Sequence, residues 1–340
     1  MKILPDFTKQ ELYEELKDLP KFRVNQIFDA IMQAKDWENT SIPKKLFEQL
    51  KENYILKPIS IFEVYQAKDG TKKYLLKLHD NNIIECVFLI QNYGNTICMS
   101  TQVGCRMGCK FCASTTGGLI RNLTPGEMVA CIAVVNADNG KCNERNFSNI
   151  VLMGSGEPFD NYDNVVKFLS LITKQGFNVS ERNISLSTCG LVDKIIEFMK
   201  LNLDITLCVS LHASTDEVRK TIMPVAFKYT IDEIATALKQ YSKQTKRRVV
   251  LEYCLIKDVN DSFEDCKRLS KIFSGILCHF NVICLNDNGG NLKATTKKEA
   301  YAFVDKLNSL GLSASLRRSQ GSDIQGACGQ LRAKRLSEGI

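Results

Sequence analysis

Cys105-Arg106-Met107-Gly108-Cys109-Lys110-Phe111-Cys112 sets three thiols within eight residues, and that spacing limits what they do. Three thiolates so placed fold around one corner of a 4Fe–4S cube and ligate three of its irons, leaving the fourth open to a small molecule. Structural zinc calls for a fourth Cys or His at matching spacing, and none stands nearby. A disulfide framework fails because three is odd and the opening Met1-Lys2-Ile3-Leu4-Pro5-Asp6 carries no secretory pattern. With 14 Cys in 340 residues, roughly 0.02 such triplets are expected by chance. Cys105, Cys109 and Cys112 therefore read as the ligands of one 4Fe–4S cluster.

Outward from this loop, the chain alternates strand-like and amphipathic stretches. Strand patterns run at Thr96–Ser100, Asn149–Met153, Asn183–Ser187, Ile205–Leu211, Val249–Leu255 and Phe280–Leu285, with helical patterns such as Glu127–Asn136, Tyr162–Lys174 and Ile231–Ser242 between them. Six βα units predict an α/β fold, a partial (βα)6 barrel with its chemistry at the carboxyl ends of the strands. Residues 1–53 predict a small helical domain, in which Thr8 and Glu11 have the spacing of a capping box. Residues 54–95 predict a β-rich connector with a hairpin turning at His79–Asn82. The barrel occupies 96–320, and 321–340 form a C-terminal segment.

With 44% hydrophobic and 24% charged residues, the composition is that of an ordinary globular protein. No apolar run reaches 18 residues, which excludes a membrane-spanning helix. Fourteen cysteines without an export signal imply a reducing cytoplasm. The net charge of +7 points weakly toward a polyanionic partner. Basic pairs at Lys72-Lys73, Lys297-Lys298 and Arg317-Arg318, and the run from Arg332 to Arg335, suit phosphate contacts, although solvated faces are their usual meaning.

Several polar residues fall on the predicted strand ends. Gly154-Ser155-Gly156-Glu157-Pro158 follows the second strand; alone it reads as a strand-to-helix turn. Ser187 ends the third strand, Ser210-Leu211-His212 the fourth and Asn286 the sixth, so all share one rim. Cys86, Cys131, Cys208, Cys254 and Cys284 lie in apolar runs and read as small core residues. Cys98, seven residues before the cluster loop, belongs with them by its surroundings. Cys328 does not: it sits in Gly321–Leu331, a polar, Gly-rich, mobile-looking stretch.

The Cys-x-x-x-Cys-x-x-Cys motif, with Phe111 before its last cysteine, resembles the signature of the radical S-adenosylmethionine (SAM) superfamily. That resemblance implies that SAM chelates the open iron and is split to a hydrogen-abstracting 5′-deoxyadenosyl radical. Cys98–Cys105, Met153–Pro158, Leu186–Gly190, Ser210–Ala213, Glu252-Tyr253 and Ala327–Leu331 together resemble the RlmN family of dual-specificity RNA adenine methyltransferases, in order and over nearly the whole chain. The family likeness implies methylation of carbon 2 of adenosine 2503 in 23S rRNA and of adenosine 37 in tRNAs, with two SAM consumed per turnover. It assigns Cys328 as the S-methylcysteine intermediate, Cys98 as the thiol that resolves the RNA adduct through a transient disulfide, and Glu85 as the proton acceptor. Gly156, Glu157, Ser187, Ser210, Leu211, His212 and Asn286 become SAM contacts. Residues 1–53 become RNA-binding, an external donor such as flavodoxin supplies electrons, and the enzyme acts as a monomer.

Two departures and two rivals are visible. Where the family often has Trp-Asn-Pro, this chain has Leu285-Asn286-Asp287 followed by Asn288-Gly289-Gly290-Asn291, and position 155 is Ser rather than Met. The sister Cfr family, which methylates carbon 8 of the same rRNA adenosine, shares most of the motifs; Ala113–Gly118 after the last cluster cysteine resembles RlmN instead. A non-catalytic iron–sulfur RNA-binding protein needs neither Cys98 nor Cys328. Radical enzymes of the sulfur-inserting type mostly carry a second group of cluster cysteines, which this chain lacks.

Overall fold

The computed structural model describes residues 1–35, 40–140, 144–286 and 291–331. The Asp287–Gly290 part of the unusual loop and the Arg332–Arg335 basic run lie outside them. The chain opens with β1 (Lys2–Ile3), α1 (Lys9–Glu15), α2 (Lys21–Met32), α3 (Lys44–Asn53) and β2 (Tyr54–Ile55), which pairs in parallel with β1. The capping box at the head of α1 is present: Glu11 N donates to Thr8 Oγ1 at 3.2 Å and Thr8 N to Glu11 Oε2 at 2.7 Å, which satisfies two of the amides a helix start leaves unpaired. Val24, Ile27, Phe28 and Ile31 bury one face of α2.

Four antiparallel strands follow: β3 (Ile59–Gln66), β4 (Lys72–Leu78), β5 (Ile83–Leu89) and β6 (Thr96–Met99). The small hairpin of β7 (Gln102–Gly104) and β8 (Leu119–Asn122) brackets the cluster loop. After α4 (Pro125–Asp138), β9 (Asn149–Leu152) pairs in parallel with β6. The alternation continues through α5 (Tyr162–Ser170), β10 (Ile184–Thr188), α6 (Val192–Met199), β11 (Thr206–Ser210), α7 (Asp216–Ile222), α8 (Ile231–Thr245), β12 (Val249–Leu255), α9 (Phe263–Phe273), β13 (Cys278–Cys284), α10 (Lys297–Ser309) and β14 (Ala314–Leu316). The ten-stranded sheet runs β14-β13-β12-β11-β10-β9-β6-β5-β4-β3. Its parallel part is the partial barrel, left open because β3 and β14 are its edges.

All six anticipated strands of the barrel are present, and β14 adds a seventh parallel strand too short to register in the sequence pattern. β3 was also illegible: Ile61, Phe62, Val64 and Tyr65 form an apolar run with a register shift and partial exposure on both faces, so no alternation marks it. The barrel strands alternate strictly. Ile150, Leu152, Ile184, Leu186, Leu207 and Val209 point outward into the layer of helices and are essentially buried, each contributing about 1.5–3 kcal/mol. Their neighbours Val151, Ser185, Ser187, Cys208 and Ser210 point inward, where they line cavities. The inward face mixes polar side chains such as Ser185 and Ser187 with apolar ones such as Val151 and Val250, because it bounds space for a ligand instead of packing against a second layer. Buried residues of α1 and α2 share one continuous core with α4 and α5, so the N-terminal helices are packed onto the barrel. No described helix is long and apolar enough to cross a membrane.

Candidate active site

The cluster loop leaves β7 at Gly104, whose φ of +77° and approach to Gly118 O leave no room for a side chain. Cys105 N donates to Gly118 O at 2.9 Å and Cys112 N to Cys109 O at 3.1 Å, so the loop is closed on itself. Cys105, Cys109 and Cys112 all line a cavity of about 160 Å³ at the carboxyl ends of the barrel strands. Burial pushes the Cys105 thiol up to about 12 and also raises Cys109 and Cys112, with each thiol penalised further by a neighbour in the trio or by Cys328. Such thiols ionise only against strong positive charge, which is what iron supplies. Among the described residues no three donors converge on one point as for a single metal ion. A cube asks for something different, one thiolate on each of three irons, and the three thiols on one cavity wall fit that demand.

The same cavity collects most of the predicted rim. Gly154 and Gly156 let the loop after β9 pass against the loop after β6: a Cβ on Gly154 would meet Met99 backbone at 2.6 Å, and one on Gly156 would meet Gln102 at 2.7–2.9 Å. Glu157 is buried, and its oxygens accept from Phe159 N at 3.0 Å and Cys189 N at 2.7 Å. Desolvation raises its carboxyl while those amides pull it down. Ser187 and Ser210 line the cavity directly. His212 adopts the left-handed region at φ +56°, and its Nδ1 accepts from Cys254 N at 2.9 Å. Burial first, and then Arg219, push its pKa down to about 3, so the ring is neutral with its proton on Nε2. Leu211 stands apart. It is fully buried, lines neither cavity described here, and gives its amide to Glu252 O at 3.0 Å.

A second cavity of about 930 Å³ runs along the inward face of the barrel toward the amino ends of its strands. Met153, Glu252, Ile283, Asn286, Arg317 and Cys328 line both cavities. Cys328 thus stands on their common wall, and Cys98 lines only the larger one. The Gly-rich segment around Cys328 is pinned rather than loose. Ala113 N donates to Gly329 O at 2.8 Å, Ser114 Oγ to Leu331 O at 2.8 Å, and Asn286 Nδ2 to Cys328 O at 3.0 Å. Asn286 therefore spends its amide on the C-terminal segment in this structure. Both Cys98 and Cys328 are free thiols. Burial pushes Cys98 up to about 12, the neighbouring Cys328 adds to the rise, and Arg317 opposes it.

Glu85, on β5, shares the inward face with Cys98 through the Val87↔Cys98 pairing but lines neither cavity. Lys73 Nζ lies 3.3 Å from Oε1, in an orientation that leaves both oxygens without an aligned hydrogen bond. Desolvation outweighs that ion pair and pushes the carboxyl up to about 7, near the value that suits a general base at neutral pH.

Two residues of the site escaped the sequence reading. Arg317 read only as part of a basic pair. Its guanidinium lies 3.7 Å from Glu252 Oε2 and is held further toward its charged form by Cys328, Glu252 and Cys98. Arg219, fully buried on α7, donates to Leu211 O, Tyr229 O, Cys189 O and Ser210 O at 2.7–3.2 Å. It ties together the loops after β10 and β11 that carry the rim. Nothing local in the sequence marks either role, since both depend on distant strands meeting.

An open parallel barrel with a three-cysteine loop after its first strand and a glycine–glutamate turn after its second defines the radical SAM class. The profile of the Radical SAM superfamily matches residues 99–269, and members of that superfamily hold a 4Fe–4S cluster and SAM. The probable dual-specificity RNA methyltransferase RlmN of Clostridium perfringens is 49% identical over 98% of this chain and 97% of its own length. Its counterpart in Clostridium beijerinckii is 48% identical over 98% and 95%. A crystal structure of a radical SAM methyltransferase from Sphaerobacter thermophilus superposes with a TM-score of 0.94 at 37% identity, covering 98% of this chain and all of that one. The chain belongs to the RlmN family.

Proposed function

We propose that this enzyme methylates carbon 2 of adenosine 2503 in 23S rRNA and of adenosine 37 in tRNAs, by way of a methyl group carried on Cys328. The observation that supports this reading most is the position of Cys328 on the wall common to two cavities. A methyl carrier must face its methyl source on one side and its acceptor on the other. Carbon 2 of adenine, between two ring nitrogens, has no lone pair with which to attack a methyl sulfonium, so direct transfer is closed to it. When bound, the cluster and SAM together supply hydrogen abstraction from an unactivated methyl C–H.

The residues of the chain do the rest. Cys105, Cys109 and Cys112 hold the cluster, and Gly156, Glu157, Ser187, Ser210, Leu211, His212 and Asn286 form or support the SAM site. Neutral His212 offers Nε2–H as a donor. Cys328 takes a methyl from one SAM as a thioether, and its carbon then bonds to carbon 2 of the adenine, joining RNA to protein. Glu85 accepts the proton leaving carbon 2. Cys98 attacks the Cys328 sulfur as a thiolate; an S–S bond forms, the S–C bond breaks with its electron pair left on the carbon, that carbon takes up a proton to become the methyl group, and methylated RNA leaves. An external donor such as flavodoxin returns electrons, and the enzyme works as a monomer, with residues 1–53 contributing RNA affinity.

The deciding experiment is anaerobic turnover of an rRNA fragment with purified enzyme, SAM and reductant, followed by digestion to nucleosides and comparison with authentic standards. The expected product is 2-methyladenosine. Material co-eluting with 8-methyladenosine alone would overturn the choice of carbon, and unmodified RNA would overturn the activity.

A further inference from the structure

We propose that Tyr93 is a stacking platform for an RNA base adjacent to the target adenosine, at the mouth of the larger cavity. This rests on the RNA reading above and adds a residue that neither motif nor family likeness singled out. Tyr93 sits at the tip of the turn joining β5 to β6, where Gly94 N donates to Gln91 O at 3.0 Å. The turn is rigidly supported. Gly94 has φ +114°, and a Cβ there would meet Ser148 Oγ at 2.4 Å. Asn95 Nδ2 donates to Asn146 O at 3.0 Å, and Gln91 Nε2 to Gln320 Oε1 at 2.8 Å. On this fixed support Tyr93 is 76% exposed, yet it lines the cavity that leads to Cys98 and Cys328. A tyrosine on an anchored turn at a cavity mouth presents a large aromatic face and has only its own two side-chain torsions to fix on binding.

The surroundings identify the ligand chemistry. Arg182 and Arg318 line the same cavity, as do the uncharged Asn92, Asn149 and Asn183. Arg182 is exposed beside Asp204, 3.2 Å away. The lining acids are Asp69 and Glu252, and both are engaged: Asp69 accepts from Thr71 N and Gly321 N, Glu252 from Asn281. Cations, amide groups and an aromatic face are the set that binds single-stranded nucleic acid by stacking and backbone attraction. The volume of about 930 Å³ is near the top of the range of roughly 300–1,000 Å³ that encloses small ligands, enough for a nucleotide turned out of its stack. An adenine that reaches Cys328 at the inner wall leaves its chain neighbour at the rim, where Tyr93 stands.

The test uses an RNA hairpin carrying the target adenosine, with 2-aminopurine on one side of it or the other in two separate probes. Binding to the holoenzyme is followed by anisotropy and by quenching of 2-aminopurine. Wild type and Tyr93→Phe are expected to quench one probe. Tyr93→Ala is expected to lose that quenching and bind about 10- to 100-fold more weakly. Its melting temperature and its RNA-independent methylation of Cys328, read by mass spectrometry of the protein, stay as in wild type. Quenching and affinity unchanged in Tyr93→Ala, with wild type binding normally, overturn the stacking role alone. Tyr93→Phe behaving as Tyr93→Ala overturns it too, by assigning the effect to the hydroxyl. If wild type itself fails to bind either hairpin, the RNA reading falls, and this proposal with it.

Discussion

Replacing Glu85 by Gln removes a carboxyl that the fold holds near 7 instead of the 4.5 of an exposed glutamate, and two independent quantities follow from that displacement. The first is stability. Between pH 4.5 and 7 the native state keeps a proton on Glu85 that the unfolded chain has released. Native stability therefore falls as pH rises through this window and levels off above it. At 1.36 kcal/mol per pH unit, the ionised form costs about 3 kcal/mol at pH 8 and about 1 kcal/mol at pH 5. Wild type should thus lose about 2 kcal/mol relative to Glu85→Gln between those two pH values. The attraction of Lys73 for the carboxylate is already contained in the value near 7, since it opposes the larger desolvation. Urea unfolding of both proteins under anaerobic conditions measures the difference. The second quantity is rate. If Glu85 takes the proton from carbon 2, loss of a carbon-2 deuterium from labelled RNA should rise tenfold per pH unit below pH 7 and be flat above, and Glu85→Gln should be slower by about 10²–10⁴. Unfolding midpoints that keep a constant separation from pH 5 to 8 would refute the burial argument. A pH-independent wild-type rate with the stability shift present would refute only the catalytic role.

Three further outcomes are expected. Alanine at Cys105, Cys109 or Cys112 should abolish the 4Fe–4S charge-transfer absorbance in anaerobic protein, because two thiolates do not hold the cube; full iron content in any one of them contradicts the ligand assignment. Cys98→Ala should accumulate a protein–RNA adduct through Cys328 on a denaturing gel, and Cys328→Ala should give neither adduct nor product; normal methylation by Cys98→Ala would exclude its role. Arg317→Gln should slow adduct resolution about tenfold by removing the cation that favours the Cys98 thiolate, with Arg317→Lys partly restoring it; equal rates in all three proteins would show that the cation does not act on this step.

The legible part of the fold was the part whose periodicity serves one purpose at a time. Barrel strands such as Ile184–Thr188 alternate because one face packs helices and the other lines a cavity, and the helix of Ile231–Thr245 repeats its apolar positions for a single neighbouring layer. β3 and β14 escaped notice for opposite reasons. β3 is an edge strand with apolar residues on both faces, and β14 spans three residues, too few for any period to show. α7 and α9 were likewise unread. α7 is short, and its largest buried side chain is a charged one, Arg219. α9 buries Asp265 beside Cys266, Leu269 and Phe273, so a charged residue interrupts its short core stripe.

In the site, the cluster thiols were legible because their chemistry depends on local spacing, and Cys328 because its flanks are polar. Cys98 was not separable by sequence from Cys208 and Cys254, since all three sit in apolar strand runs. The structure places all three within electrostatic reach of Cys328, so proximity does not select among them either. What separates them is the company each keeps. Arg317 favours the thiolate of both Cys98 and Cys208, but the Glu252 carboxylate pushes against ionisation of Cys208 and Cys254, whereas Cys98 has the Met153 backbone amide as a second group favouring its thiolate. A thiol must ionise to attack a sulfur centre, so Cys98 is the one the local field prepares for Cys328. For the same reason the other two should not stand in for it when it is removed, and the adduct formed by Cys98→Ala is expected to persist with Cys208 and Cys254 intact.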